Sequence, residues 1–119
     1  MSKFISEAGK NTPEIRFDPS SNIFYIRGKS FPENAKKHYL PFTEWLKANR
    51  IPPGSTIELN FEYISSSSVI AVLELLREIE KLEKNISVKW VYEDGDDDMK
   101  AVGANYQKLC GLQFEYIIS

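Results

Sequence analysis

Between Thr56 and Ile64 the chain alternates strictly. Ile57, Leu59, Phe61 and Tyr63 fall on one side, and Glu58, Asn60 and Glu62 on the other. A period of two predicts a β-strand with one wet face. From Val69 to Lys84 the period lengthens. Val69, Val72, Leu73, Leu76, Ile79 and Leu82 recur on one side, with Glu74, Arg77, Glu78 and Lys81 mostly opposite, which predicts an amphipathic helix.

The same reading extends along the chain. Glu14 to Asp18 alternates, Pro19 to Asn22 has turn chemistry, and Ile23 to Ile26 is aromatic and β-branched, so the stretch predicts a β-hairpin that ends at Gly28. Tyr39, Phe42, Trp45 and Leu46 mark a helix within Ala35 to Asn49. Pro41 points to a start of its main part there, and Ile51-Pro52-Pro53-Gly54 stops it. Ser87 to Tyr92 predicts a strand, and Met99, Val102, Tyr106 and Leu109 a last helix that stops near Gly111. Gln113 to Ile118 predicts a final strand.

The predicted order is β-β-α-β-α-β-α-β. Strand-helix-strand alternation favours parallel neighbours joined by right-handed crossovers. A parallel sheet covered on both faces has nearly continuous apolar strands. Here Glu14, Arg16, Glu58, Asn60, Glu62, Lys89, Gln113 and Glu115 give the strands a polar side. The expected fold is therefore α/β: a two-layer sandwich with a mixed β-sheet and helices mainly on one face, not a doubly wound nucleotide-binding fold. Polar residues 1–11, with Gly9, read as a flexible N-terminus, and residues 12–119 as a single domain.

Composition narrows the function classes. The chain has 119 residues, 42% hydrophobic and 27% charged, enough for a core without metal or disulfide staples. The net charge of −2 lacks the basic footprint of a nucleic-acid binder. Cys110 is the one cysteine, which suits a reducing compartment. No secretory h-region opens the chain, and no apolar run approaches the roughly 18–20 residues that span a bilayer. These features predict a cytoplasmic protein that neither binds nucleic acid nor inserts into membranes.

A catalytic set is hard to assemble. His38 is the one histidine and has no local motif around it, so a surface or half-buried structural role is expected. Cys110 reads as a small buried hydrophobe. The acidic stretch Glu93 to Asp98 invites a calcium loop, which needs Gly at position six and Glu at twelve. Counting from Asp94 places Gly95 second and Asn105 twelfth; counting from Asp96 or Asp98 places Gln107 or Leu109 twelfth. The simpler reading is that Asp97 or Asp98 caps the last helix. Neither a G-x-G-x-x-G nor a P-loop pattern occurs. No enzyme activity, metal or cofactor is expected.

Ser65-Ser66-Ser67-Ser68 stands between the clearest strand and the clearest helix. Serine is a preferred N-cap, worth roughly 0.5–2 kcal/mol, and that accounts for one or two of the four. The same place suits a phosphate. Helix N-terminal amides favour an anion, and phosphorylation adds about −1.5 to −2 charges. A docking surface complementary to a neutral hydroxyl would expel a partner on meeting a dianion.

Several segments carry a resemblance over Thr12 to Ile117: Thr12-Pro13-Glu14-Ile15 with Phe17-Asp18-Pro19; Gly28 to Ala35, including Phe31-Pro32-Glu33-Asn34; Trp45-Leu46; Tyr63 to Ser68 leading into the helix; and Trp90-Val91-Tyr92 before Asp96-Asp97-Asp98-Met99. In these parts the chain resembles the SiaC family of bacterial regulatory phosphoproteins. The resemblance implies a fold like the STAS domains of anti-sigma factor antagonists, and a partner switch. A serine/threonine protein kinase phosphorylates the start of the central helix, and a PP2C-type phosphatase reverses it. The unmodified form engages and activates a downstream partner, a diguanylate cyclase in the best-known branch, linking it to cyclic di-GMP signalling and biofilm or aggregation behaviour. The family often has Asn-Thr where this chain has Ser65-Ser66, so the resemblance places the acceptor at Ser66, with Ser65, Ser67 and Ser68 as alternatives. Phe31, Pro32, Glu33, Asn34 and Tyr63 are expected at the partner surface. For Ser30 to Asn34 the alternative is a rigid turn in which Pro32 fixes φ and Asn34 caps the next helix. A second reading is an anti-sigma factor antagonist, although such proteins carry a glycine after the acceptor pair and this chain has Val69 after Ser68.

Overall fold

The computed structural model describes residues 2–119. The hairpin predicted at the start is β2 (Glu14–Asp18) paired antiparallel with β3 (Ile23–Ser30). Its turn places Asn22 at φ 56°, a left-handed conformation that Asn tolerates better than most side chains. From β3 onward each strand adds parallel to the one before it: β4 (Thr56–Ile64), β5 (Ser87–Tyr92) and β6 (Gln113–Ile118). Helices α1 (Ala35–Ala48), α2 (Ser66–Leu82) and α3 (Asp97–Leu109) are the crossovers. Order in the sheet equals order in the chain, so every crossover steps the same way. Right-handed crossovers of one direction put all three helices on one face. The outcome is the expected mixed sheet with one helix layer.

The core lies between sheet and helices. Ile57, Leu59 and Phe61 of β4 and Val88 and Trp90 of β5 meet Leu46 of α1, Val72, Leu76 and Ile79 of α2, and Tyr106 of α3. Gly103 is required where α3 crosses β5, because a Cβ there would come within 2.5 Å of the Trp90 ring. The Trp90 indole N–H donates to Met99 O at 3.0 Å.

The open face carries a cross-strand row set by register: Ile5, Arg16, Tyr25, Glu58, Lys89 and Glu115 lie side by side across six strands. The charges alternate along it. Arg27, one step away, donates two bonds to Glu58 at 2.9 and 3.0 Å and covers the Tyr25 ring at 3.9 Å. Tyr25 OH donates to Glu14 at 2.9 Å. Opposite charges directly across strands favour the pairing, so this face is stable in water without a covering layer.

Several expectations need correction. Residues 1–11 are not wholly frayed. Phe4–Ser6 form β1, antiparallel to β2, because Phe4 packs on Phe42 and Trp45 with ring centroids 5.0 and 6.2 Å away. Three residues are too few to show a period. Met1 lies outside the described residues. Helix α1 does not restart at Pro41. It runs through from Ala35, with Pro41 exposed and Tyr39, Phe42 and Leu46 buried, so the missing amide falls on the solvent side. Strand β3 passes Gly28, at φ +116°, and ends at Ser30. The α3 cap is Asp96, which accepts from Met99 N–H at 3.1 Å, rather than Asp97 or Asp98.

Tyr63 also departs from the alternation. Phe61 is in register with Gly28, but Tyr63 with Lys29, so Glu62 is an extra residue in β4. A bulge shifts the phase by one. Ile64 then turns to the core and Tyr63 turns out, 53% exposed.

Candidate functional site

The bulge shapes the place where β4 hands over to α2. Ser65 N–H donates to Ser30 O at 2.9 Å, tying the end of β4 to the end of β3. Ser65 has extended backbone and is the N-cap of α2, its hydroxyl oxygen accepting from Ser68 N–H at 3.2 Å. The helix begins at Ser66, inside the serine run, three residues before the first apolar position of the period.

The four serines divide by environment. Ser68 is fully buried. Its hydroxyl accepts from Ser65 at 3.0 Å and from Ser30 at 2.9 Å. Ser30 is also fully buried and lies 2.6 Å from the Tyr39 hydroxyl of α1. With Ser30 donating to Ser68, Tyr39 is the donor to Ser30. Ser67 is exposed, but its hydroxyl stands 3.3 Å from Ser65. The hydroxyls of Tyr39, Ser30, Ser68, Ser65 and Ser67 thus form one chain from core to surface. Ser66 alone is exposed and outside it. Burial pushes the Tyr39 phenol up to about 12, with the Ser30 hydrogen bond pulling weakly the other way, so it stays a protonated donor. Tyr106, raised further by burial, donates to Val69 O at 2.7 Å and ties the first turn of α2 to α3.

The Phe31–Asn34 segment arrives at the same corner from β3. Phe31 N–H donates to Asn11 O at 2.9 Å. The Phe31 ring, 39% exposed, meets the Tyr63 ring edge-on with centroids 5.6 Å apart. Asn34 caps α1, accepting from Lys37 N–H at 3.1 Å, as its alternative reading held. Glu33 and Asn34 share an open cleft of about 260 Å³ with Lys36 of α1 and with Ser67, Ile70 and Glu74 of α2. Ile70 is 62% exposed and sits one turn after Ser66. Phe31, Tyr63 and Ile70 are thus exposed apolar groups from three segments around the start of α2, the turn to which Ser66 belongs. Pro32 lies in the same connection but makes no polar contact there.

The two sequence segments expected to matter, about thirty residues apart, are thus brought together. The buried hydroxyl chain through Ser30 and Tyr39 is what sequence reasoning missed. The one signal for them is a serine at an inward position of β3, two and four residues beyond Gly28 and Ile26. His38 and Cys110 take no part in the hydroxyl chain. His38 is half-buried on α1, edge-on to Tyr39 at 5.0 Å, and burial lowers its pKa. Cys110 is the buried C-cap residue of α3, and burial raises its thiol. Among the described residues no three of His, Cys, Asp and Glu converge as metal ligands, and no helix is long and apolar enough to cross a membrane.

Comparison with known proteins decides the family. The model of the SiaC family regulatory phosphoproteins matches residues 6–119. The chain belongs to the SiaC family. An uncharacterised protein of Pseudomonas aeruginosa is 23% identical over 110 residues, covering 88% of this chain and 87% of its own length. The crystal structure of apo-SiaC from Pseudomonas aeruginosa superposes with a TM-score of 0.79 at 23% identity, covering 98% of this chain and 99% of that one. SiaC in the crystal structure of the diguanylate cyclase SiaD with its activator SiaC, from the same organism, matches with a TM-score of 0.79 at 21% identity over the same shares. The fold of these SiaC family structures is that of the present chain.

Proposed function

We propose that this chain is a non-catalytic cytoplasmic regulator whose unmodified form binds and activates a diguanylate cyclase, and that phosphorylation at Ser66 releases it. A serine/threonine protein kinase adds the phosphate and a PP2C-type phosphatase removes it, so the chain sets cyclic di-GMP output and, through it, biofilm or aggregation behaviour. Family membership supports the class of function, and the complex of a relative with a diguanylate cyclase supports the partner.

One observation carries the assignment of the acceptor. Of the four serines, Ser66 alone combines an exposed position with a hydroxyl free of hydrogen bonds to the described residues. A kinase reaches it without opening the fold. Ser68 would have to be dug out of the core, Ser65 would lose its cap, and Ser67 would give up its contact with Ser65.

The position also explains release. A partner that covers Phe31, Tyr63 and Ile70 also covers Ser66. A neutral hydroxyl at the rim of such a patch is tolerated, whereas a dianion there would lose its water at a cost of several kcal/mol. The patch and the acceptor are the same place, so no conformational relay is needed.

The test is calorimetry of the chain against the cyclase, with cyclic di-GMP synthesis read in parallel. Treatment with kinase and ATP is expected to add one phosphate and to lower both affinity and synthesis. Ser66→Ala is expected to bind and activate while resisting the kinase. Full phosphorylation of Ser66→Ala, or undiminished binding by the phosphorylated chain, would overturn the assignment.

A further inference from the structure

The two edges of the sheet match one another. Among the described residues neither the β1 nor the β6 edge carries a proline or a bulge that would bar an added strand. Their polarity agrees. β1 is antiparallel to β2, β2 to β3, and the rest are parallel, so β1 runs parallel to β6.

Their hydrogen-bonding phases agree as well. Ser119 N–H donates to Tyr92 O at 2.9 Å, so Ser119, and by alternation Ile117 and Glu115, face β5. The main-chain groups of Phe114, Tyr116 and Ile118 then face outward. At the other edge, Ser87 N–H donates to Ser55 O at 3.1 Å, so Ser55 faces β5 and Glu58 faces β3. In a parallel pair only one of two opposed residues turns to the other, so Tyr25, opposite Glu58, turns to β2 and its partner Arg16 turns to β3. Ile5, opposite Arg16, therefore turns outward, and Lys3 with it.

Side-chain faces complete the match. Ile5 shares the open face with Arg16, and Glu115 and Ile117 share it with Lys89. Laying Phe4 of a second copy opposite Tyr116 puts Lys3 opposite Glu115 and Ile5 opposite Ile117. All four of these last residues are exposed in the single chain, Ile5 by 48% and Ile117 by 37%. Tyr116 N–H then meets Lys3 O of the second copy, and Ile5 N–H of that copy meets Tyr116 O. Continuing the β1–β2 register places Asp18 next to Lys3. The alternating row Arg16, Tyr25, Glu58, Lys89, Glu115 thus runs on through Lys3 and Asp18 of the next molecule without a break in sign.

We propose that copies of this chain associate head to tail, β1 of one adding parallel to β6 of the next as a seventh strand, with Lys3 against Glu115. The contact is heterologous, so each molecule keeps one free edge and the series is open. It is a weak contact of two main-chain bonds and one exposed ion pair, suited to high local concentration. The surface is distinct from the Ser66 corner, and the inference does not depend on the proposed partner.

Sedimentation velocity over about 10 μM to about 1 mM tests it, a range that brackets a weak contact. The mean mass is expected to rise steadily with concentration and to pass the dimer. Lys3→Glu and Glu115→Lys should each weaken association by about fivefold to tenfold, the effect of turning an attractive cross-strand pair repulsive. Mixing the two single variants makes both kinds of contact between unlike molecules opposite in charge again, so association should return and the mean mass should again pass the dimer, with the two variants alternating. Circular dichroism of each variant checks that it is folded. A monomer at the highest concentration, a plateau at the dimer for the unaltered chain, or folded single variants that associate on their own as the unaltered chain does would each overturn the proposal.

Discussion

Ser30 and Ser68 lie thirty-eight residues apart in sequence, yet their hydroxyls are 2.9 Å apart and neither side chain is exposed. The pair joins the end of β3 to the first turn of α2 and holds the Tyr39 hydroxyl from the other side. Two serines that a sequence count would group with polar surface are therefore core residues.

Their removal should register as stability. Ser30→Ala leaves the Tyr39 hydroxyl buried without its partner, and Ser68→Ala leaves the Ser30 and Ser65 donors facing a void. Each is expected to cost about 1–3 kcal/mol. Ser66→Ala, exposed and unbonded, should stay within about 0.5 kcal/mol of the parent. Urea unfolding followed by tryptophan fluorescence separates the two classes. Equal losses from Ser66→Ala and Ser68→Ala would contradict the division of the run.

The aromatic pair should behave in the opposite way. Phe31 and Tyr63 are exposed and touch mainly each other, so Phe31→Ala and Tyr63→Ala should change the urea midpoint little. Against the cyclase each is expected to weaken binding by about 1–3 kcal/mol, as central aromatic contacts do. Calorimetry of the folded variants reads this directly, and unchanged affinity for both would move the interface elsewhere.

His38 gives a pH signature. Burial lowers its pKa from the ordinary 6.5, and its Nε2 is buried without a hydrogen-bond partner among the described residues. The unfolded chain therefore takes up the proton first. Above about pH 6.5 the imidazole is neutral in both states and the full stability is present. As pH falls from there through the folded pKa, the unfolded state gains the proton alone and stability declines. Asp18 works lower on the scale. Burial raises its pKa, but the Ser21 hydrogen bonds and the charges of Lys3 and Arg16 outweigh that and hold it below 3.8, so its contribution is lost only in stronger acid. His38→Gln is expected to flatten the urea midpoint between about pH 7 and about pH 5 relative to the parent. An unchanged slope would assign that decline to other groups.

Where a single period ran long enough, the fold was legible. β4 and α2 stand out because most of their nine and seventeen residues follow one period each. The polar side of the strands by itself implies the single helix layer. Three features were hidden for separate physical reasons. β1 is three residues long and is held by the packing of Phe4 on α1. The outward turn of Tyr63 follows from one inserted residue, Glu62, which is invisible without the register of the neighbouring strand. Ser30 owes its burial to residues far along the chain. At the site, the alternation puts Tyr63 on the same side as Ile57, Leu59 and Phe61, and the bulge at Glu62 is what turns it out to solvent beside Phe31.

The equality of chain order and sheet order bears on how the molecule forms. Each strand docks on the one immediately before it, so no segment has to be threaded between two that are already joined. The β2–β3 hairpin closes over a four-residue turn and can serve as the starting edge, after which each helix-strand unit is laid down in the order of synthesis. The corner bearing Ser66 is complete once α2 has settled against β3 and β4, before β6 has been made.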